Sequence, residues 1–322
     1  MVTKNIPIIL QLDGGIGRVL CATPAIKRLA ERTGQKLNII TGHPDALHEN
    51  PHVHKIYNLD HAYLWEDVVR HGEFINPEPY HNHLYYNQQH HLIQSFNYLI
   101  NDKCEDFTPP LLYLSCEEKR WGEELVAARR ADSGNTKPIV VLQAFGASAS
   151  YDVGTGEFKD NSYRSLPMDR TNFLLKQLEN DCIFINASHI PLLQDNVWQQ
   201  PFTLRQLFSV IAACDFVVSV DSFASHAGAA FGKSGILFIG GTYGQNVGYS
   251  NYIMIHRDDY PKAYFPNRFF GFVDKQNEGA LDFSDTELIA IAQTIRQCEV
   301  SNIDLGTQLD VTHQDKINQD SL

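Results

Sequence analysis

The chain opens on an apolar run, Ile6-Pro7-Ile8-Ile9-Leu10-Gln11-Leu12, that ends abruptly at Asp13-Gly14-Gly15-Ile16-Gly17-Arg18. A run broken by Pro7 and Gln11 that feeds a glycine turn predicts a first strand, not a signal peptide. From Val19 to Arg32, Leu20, Ile26, Leu29 and Ala30 fall on one helical face, and Gly34 supplies a stop. Leu37–Ile40 and Lys55–Leu59 read as the next two strands. Strand, helix and strand with short connections predict a right-handed parallel unit.

Residues 61–115 break this alternation. They are rich in His, Tyr, Asn and Pro, carry one predicted helix near Gln88–Asn101, and read as an insertion or lid. Ser133–Pro138 has the composition of a linker. Beyond it the alternation returns. Ile139–Leu142 is an apolar strand that runs into the small-residue loop Gly146–Ser150. A helix over Thr171–Glu179 and a strand over Cys182–Ile185 follow. Thr203 caps a helix carrying Leu204, Leu207, Phe208 and Ile211. Phe216–Val220 and Gly235–Ile239 are strands that flank a small-residue helix, Ser222–Phe231. Ser284-Asp285-Thr286-Glu287 is a capping box opening a last helix. The expected organisation is α/β, with an N-terminal unit over 1–136, a C-terminal unit over 137–283, a helix over 284–298 and a loose tail over 299–322. Ligands in such folds sit beyond the C-terminal ends of the strands, here in a cleft between the two units.

A length of 322 residues agrees with two domains. The 43% apolar and 20% charged content excludes a wholly disordered chain. No apolar run approaches the ~20 residues that cross a bilayer. The 6 cysteines are scattered without a CxxC pair, which argues against a disulfide framework or structural zinc and for reduced thiols in a cytoplasm. A formal charge of −12 disfavours nonspecific nucleic-acid binding.

The densest chemical signal is Val220-Asp221-Ser222-Phe223-Ala224-Ser225-His226-Ala227-Gly228-Ala229-Ala230-Phe231-Gly232-Lys233. An acid and a hydroxyl end a strand, and a helix of small residues begins. Its free N–H groups and dipole suit an anion such as a diphosphate. An ordinary N-cap places the same residue types there without any ligand.

Thr203–Lys233 resembles the C-terminal signature of the family 9 glycosyltransferases, typified by ADP-heptose:lipopolysaccharide heptosyltransferases. The glycine turn and Thr-Pro-Ala-Ile helix of Gly14–Leu29 are similar to theirs, as are Asn50–Ile56, Gly146-Ala147-Ser148 and Arg164-Ser165-Leu166-Pro167. The resemblance implies a GT-B fold, two Rossmann-like domains facing across a cleft, with the acceptor on the N-terminal side. It implies an inverting transfer from a nucleotide diphosphate sugar (ADP-, UDP- or GDP-linked) to an acceptor hydroxyl, without cofactor or metal. Asp221 would contact the donor sugar, while Ser222, the amides after it and Arg164 would hold the diphosphate. Gly15, Gly17, Gly146, Ser148 and Thr242 join the substrate-binding set, and His226 is either near the donor or a packed helix residue.

The family's base is an Asp directly after the last glycine of the first loop, where this sequence has Arg18. Asp13 is the nearest replacement; it either deprotonates the acceptor or merely orders the turn. Arg18 itself suits an anionic acceptor or a donor phosphate. A dinucleotide fingerprint fails, because Arg18-Val19-Leu20 follows Gly15-Ile16-Gly17 without a third glycine. Ten histidines lie between His43 and His91, including His81, His83, His90 and His91, but without HExxH. With Tyr80, Tyr85 and Tyr86 they suggest a polar, aromatic acceptor surface more than a metal site, although core tyrosines fit the pattern equally well. A glycan is the first expectation for the acceptor. A hydroxymethylated DNA base, a protein acceptor, or a non-catalytic nucleotide-sugar binder are the alternatives.

Overall fold

The computed structural model describes residues 6–134, 136–152, 154–160, 162–257 and 278–300. The expected tail from residue 301 onward lies outside them, and Glu299 and Val300 still belong to the last helix.

The N-terminal half is a four-stranded parallel sheet of β1 (Ile8–Leu12), β2 (Leu37–Thr41), β3 (Val53–Asn58) and β4 (Glu73–Ile75), ordered β3-β2-β1-β4. β1 is central, and Ile8, Ile9, Leu10 and Leu12 are all buried, as a strand covered on both faces requires. Helix α1 (Ile16–Thr33) returns from β1 to β2 and ends on left-handed Gly34, φ +68°. Pro24 lies inside α1 and cannot bond to Leu20. The Thr23 hydroxyl donates to the Leu20 carbonyl instead, at 2.6 Å, and accepts the Leu111 N–H at 2.8 Å.

Residues 61–115 are not an insertion. They supply β4, whose Glu73–Ile75 pairs in register with Ile8–Leu10, and so complete the sheet. Short α2 (Leu64–Asp67) and α3 (His83–Tyr86) flank it, and the helix expected near Gln88–Asn101 is α4 (Leu92–Ile100). His91 caps α4: its Nδ1 accepts the Ile93 N–H at 3.1 Å, and Gln94 reaches back to the His91 N–H.

Helix α5 (Cys116–Asp132) leads into the C-terminal half. There a six-stranded parallel sheet contains β5 (Ile139–Gln143), β8 (Ile183–Asn186), β9 (Val197–Trp198), β10 (Phe216–Val220), β11 (Gly235–Phe238) and β12 (Tyr252–Ile255). Two-residue β6 (Ser150–Tyr151) and β7 (Phe158–Lys159) form a separate antiparallel pair. The helices of this half are α6 (Met168–Gln177), α7 (Leu204–Ala213), α8 (Phe223–Ala230), α9 (Gly244–Val247) and α10 (Asp285–Val300).

The large sheet is ordered β9-β8-β5-β10-β11-β12. Counted within its half, that is the doubly wound order 3-2-1-4-5-6, whose reversal between strands 1 and 4 opens a ligand crevice at the strands' C-terminal ends. The small sheet, 3-2-1-4, reverses at the corresponding place between β1 and β4. A single apolar core joins the halves: Val19, Leu20, Ala22 and Ile26 of α1 belong to one cluster with Ile139, Val141, Val217, Ala224 and Ala227. A second cluster packs α6 and α10 on the other face of the large sheet.

Candidate active site

The two reversal points are brought together by α1 and α8. A Cβ on Gly17, in the first turn of α1, would stand 2.6 Å from His226 Cδ2 and 3.6 Å from the Phe223 Cα of α8. Glycine is what lets two helix starts from opposite halves come this close.

On the C-terminal side, β10 delivers Asp221 and Ser222. Ser222 is the N-cap of α8 with an extended backbone (φ −156°, ψ −176°), and its side chain makes no capping bond. Gln143, the last residue of β5, takes the Ala224 N–H on Oε1 at 2.9 Å. The other first-turn N–H groups have no intrahelical partners. Arg164 reaches the same place: its Nη1 lies 3.7 Å from Asp221 Oδ2, and its Nε is buried without a hydrogen bond. Thr242, in the loop after β11, likewise has a buried Oγ1 without a partner. Asp221, Ser222, Arg164 and Thr242 thus gather at the C-terminal ends of the strands.

His226 is buried, with Nε2 3.8 Å from Asp221 Oδ1 and Nδ1 2.7 Å from the Tyr249 hydroxyl. Burial pushes its pKa down, opposed by the Asp221 charge and aided by Arg164, so the ring is neutral. Burial also raises the Tyr249 pKa well above 10, so this phenol keeps its proton beside Nδ1. Cys21 of α1 lies 3.5 Å from Nδ1 and 3.7 Å from the Tyr249 hydroxyl, and burial raises its thiol pKa. His226 thus packs against the opposite half and also stands next to Asp221.

The loop after β5 is organised by Asp160. Its carboxylate accepts from the Ser148 hydroxyl at 2.7 Å, the Ser162 hydroxyl and amide at 2.6 and 2.8 Å, and the Arg164 and Ser165 amides at 3.2 and 2.9 Å. Burial alone would raise its pKa, but the bonds from Ser162, Ser165 and Ser148 overcome it and hold the group at about 2. The Gly146 N–H donates to the Ser165 hydroxyl at 2.8 Å. Between Ser162 and Arg164, Tyr163 is held at φ +52°, an uncommon conformation for a side-chain-bearing residue, and its carbonyl accepts the Gly241 N–H at 2.9 Å. Ser148 and Gly146 therefore shape the loop that carries Arg164.

On the N-terminal side, Asp13 follows β1, and the Gln11 amide donates to both its oxygens, at 3.1 and 2.9 Å. Gly15 is the N-cap of α1 and gives no side-chain cap. Arg18 turns away from the α8 start: its Nη2 donates to Glu78 Oε2 at 2.9 Å and to the Pro77 carbonyl at 3.3 Å, just beyond β4. Of the suggested acceptor surface, Tyr85 is buried, as are His90 and His91. The Asn246 amide donates to the carbonyls of Tyr85 and His90 at 3.0 and 2.8 Å, so this segment pins the halves together. Among the described residues no three His, Cys, Asp or Glu side chains gather as metal ligands, and no helix is long and apolar enough to cross a membrane.

Sequence reasoning missed Gln143, Asp160, Tyr249 and Glu78. Gln143 had a signal, since a polar residue closing an apolar strand marks the strand's functional end. Asp160 lies in a Ser- and Asn-rich stretch that reads only as turn chemistry. Glu78 and Tyr249 meet their partners only through the tertiary fold.

No protein-family profile matches the chain, and no curated protein matches it. Solved structures do. A glycosyl transferase of family 9 from Veillonella parvula shares 12% identity over 92% of this chain and 99% of its own, with a TM-score of 0.64. The Escherichia coli ADP-heptose lipopolysaccharide heptosyltransferase II shares 12% identity over 92% and 100%, with a TM-score of 0.63. The Escherichia coli heptosyltransferase WaaC, solved with ADP, shares 14% identity over 91% and 100%, with a TM-score of 0.54. The chain has the GT-B fold of these glycosyltransferases, as the sequence resemblance implied.

Proposed function

We propose that the protein is a glycosyltransferase that moves a sugar from a nucleoside diphosphate donor, ADP-linked first among the candidates, to an acceptor hydroxyl with inversion. The observation that carries this reading is the meeting of Asp221, uncapped Ser222 and Arg164 at the reversal of the doubly wound sheet. The α8 N-terminus and Arg164 neutralise the diphosphate, and Asp221 accepts from donor sugar hydroxyls.

In the transfer, the acceptor oxygen attacks the anomeric carbon. The bond from that carbon to the diphosphate oxygen breaks, and its electron pair leaves with the nucleotide. The charge that develops there is stabilised by Arg164 and the helix dipole without reorganisation. The acceptor proton passes to a carboxylate on the opposite side, and Asp13 is the better placed of two. Glu78 has one oxygen on Arg18 and the other on the Tyr80 N–H, whereas Asp13 is held only by a neutral amide. The acceptor is a glycan hydroxyl, and the protein acts in the cytoplasm, where nucleotide sugars are made.

Isothermal titration calorimetry with ADP, UDP and GDP tests the donor site, followed by release of the nucleotide from the matching sugar donors. One nucleotide should bind and its sugar donor should turn over slowly to water. No heat with any nucleotide would sink the reading. Asp13→Asn should bind nucleotide normally and lose transfer; unchanged transfer would remove Asp13 from the base role.

A further inference from the structure

Helix α8 takes its cap from a neighbouring strand. An N-cap hydroxyl ordinarily accepts the N–H of the second or third helical residue. Ser115 of α5 and Thr203 of α7 do this, each taking an N–H of its own first turn at 3.2 Å. Ser222 is the same kind of residue in the same position of α8, and it makes no such bond. The Ala224 N–H, second in the helix and on a buried residue, goes instead to Gln143 Oε1 at 2.9 Å.

The sheet brings Gln143 to that place. It closes β5 and stands opposite Ser219 in the β5–β10 register, three residues before Ser222. Gln143 is buried, and a buried amide at the end of an apolar strand is costly unless its oxygen finds a donor. The bond to Ala224 satisfies both partners at once. It also decides what Ser222 is free to do. A hydroxyl used as a cap is fixed over the first-turn N–H groups, between them and an approaching anion. With the Ala224 N–H already taken from the side, nothing draws the Ser222 hydroxyl into that position.

We infer that Gln143 is a positioning residue of the donor site: it caps α8 from β5, and so keeps the Ser222 hydroxyl and the mouth of the helix open for the donor's diphosphate. The inference rests on the glycosyltransferase reading and adds to it a residue that touches neither donor nor acceptor. Without Gln143, Ser222 turns inward and takes the Ala224 N–H. The helix then keeps a cap, and the diphosphate loses a hydroxyl.

A double-mutant cycle of Gln143→Met and Ser222→Ala in the full chain tests this, read by urea midpoint and by calorimetry with whichever of ADP, UDP and GDP the wild type binds. Gln143→Met keeps the length of the side chain and removes its acceptor. Its midpoint should stay near wild type, because Ser222 takes over the cap, while the nucleotide binds about tenfold more weakly, the loss of one charge-assisted bond. Ser222→Ala should lose the same affinity at an unchanged midpoint. The double variant should bind no more weakly than either single one, yet its midpoint should fall, because neither cap remains. A Gln143→Met midpoint as low as that of the double variant, or a Gln143→Met affinity equal to wild type, would overturn the inference and leave Gln143 a structural cap. Should Gln143→Met fail to fold, Ser222→Ala decides alone: a lowered midpoint would mean that Ser222 already caps α8, and the inference would fall. Failure of the donor reading is seen separately, as absence of nucleotide heat in wild type, and the midpoints of the cycle remain readable in that case.

Discussion

Asp160 shows how a single carboxylate can hold a binding loop in shape. Five hydrogen bonds from the loop's own hydroxyls and amides converge on it, and they keep it ionised to about pH 2 despite its burial. An unfolded Asp titrates near pH ~3.9. The folded value lies below that, so the stabilisation is complete above pH ~4 and disappears as the pH falls toward 2. Urea midpoints measured from pH 7 downward should fall over that acid window in wild type, and Asp160→Asn should fall less there while starting from a lower midpoint. A variant that keeps the full acid slope would assign it to other carboxylates. Asp221 makes a different demand. It is nearly buried between Arg164 and His226, so Asp221→Asn leaves Arg164 without its counter-charge and the donor without an anionic acceptor. Charge-assisted bonds of this kind are worth about 1.5–3 kcal/mol, so nucleotide-sugar affinity should drop about tenfold to a hundredfold by calorimetry.

Two glycines of one turn separate packing from function at the level of elements. Gly17 lies against α8, and the methyl of Gly17→Ala would stand 2.6 Å from the His226 ring. Overpacking of that kind costs about 1–3 kcal/mol, which a urea titration reads directly. Gly15 has φ −79° and nothing within 4 Å of its would-be Cβ. Gly15→Ala should therefore leave the urea midpoint unchanged and lower transfer if substrate approaches the backbone there; loss of stability would contradict the open geometry. The elements that position these glycines were legible in the sequence because their patterns are long or wholly apolar, as in α1, β5, β10 and α8. Two were not. Strand β4 has three residues, and Glu73 and Phe74 are exposed, so neither length nor alternation marks it. Helix α5 buries only Gly122 and Val126, too few to draw an apolar stripe. The same limit applies to the site. Asp221, Ser222 and Arg164 stand out in local motifs, but the Arg18–Glu78 contact spans 60 residues and depends on β4 being next to β1.

In the molecule as a whole one apolar cluster runs between the two parallel sheets, and this bears on how it unfolds. Residues of α1 share a cluster with β5, β10 and α8, so neither half can lose its structure without exposing the apolar surface of the other. Polar latches reinforce the join. Asn246 donates to two carbonyls of the 85–90 segment, and Arg205 of α7 grips Glu118 of α5 together with the carbonyls of Asp45 and Tyr113. The bonds from Arg205 hold Glu118 at about 2, well below the ordinary glutamate range. The 3 tryptophans give probes on both sides: Trp65 beside β4's connection, Trp198 on the outermost strand of the large sheet, and Trp121 on α5. Phenylalanine replacements that leave only Trp65 or only Trp198 should give superimposable urea curves. Asn246→Ala leaves the His90 carbonyl without its side-chain donor at about 1–3 kcal/mol, while the Tyr85 carbonyl keeps the Gln88 N–H, and it should lower both midpoints together. If the Trp65 curve moved alone, the halves would be melting independently, and the shared core would not be strong enough to hold the two reversal points in register for transfer.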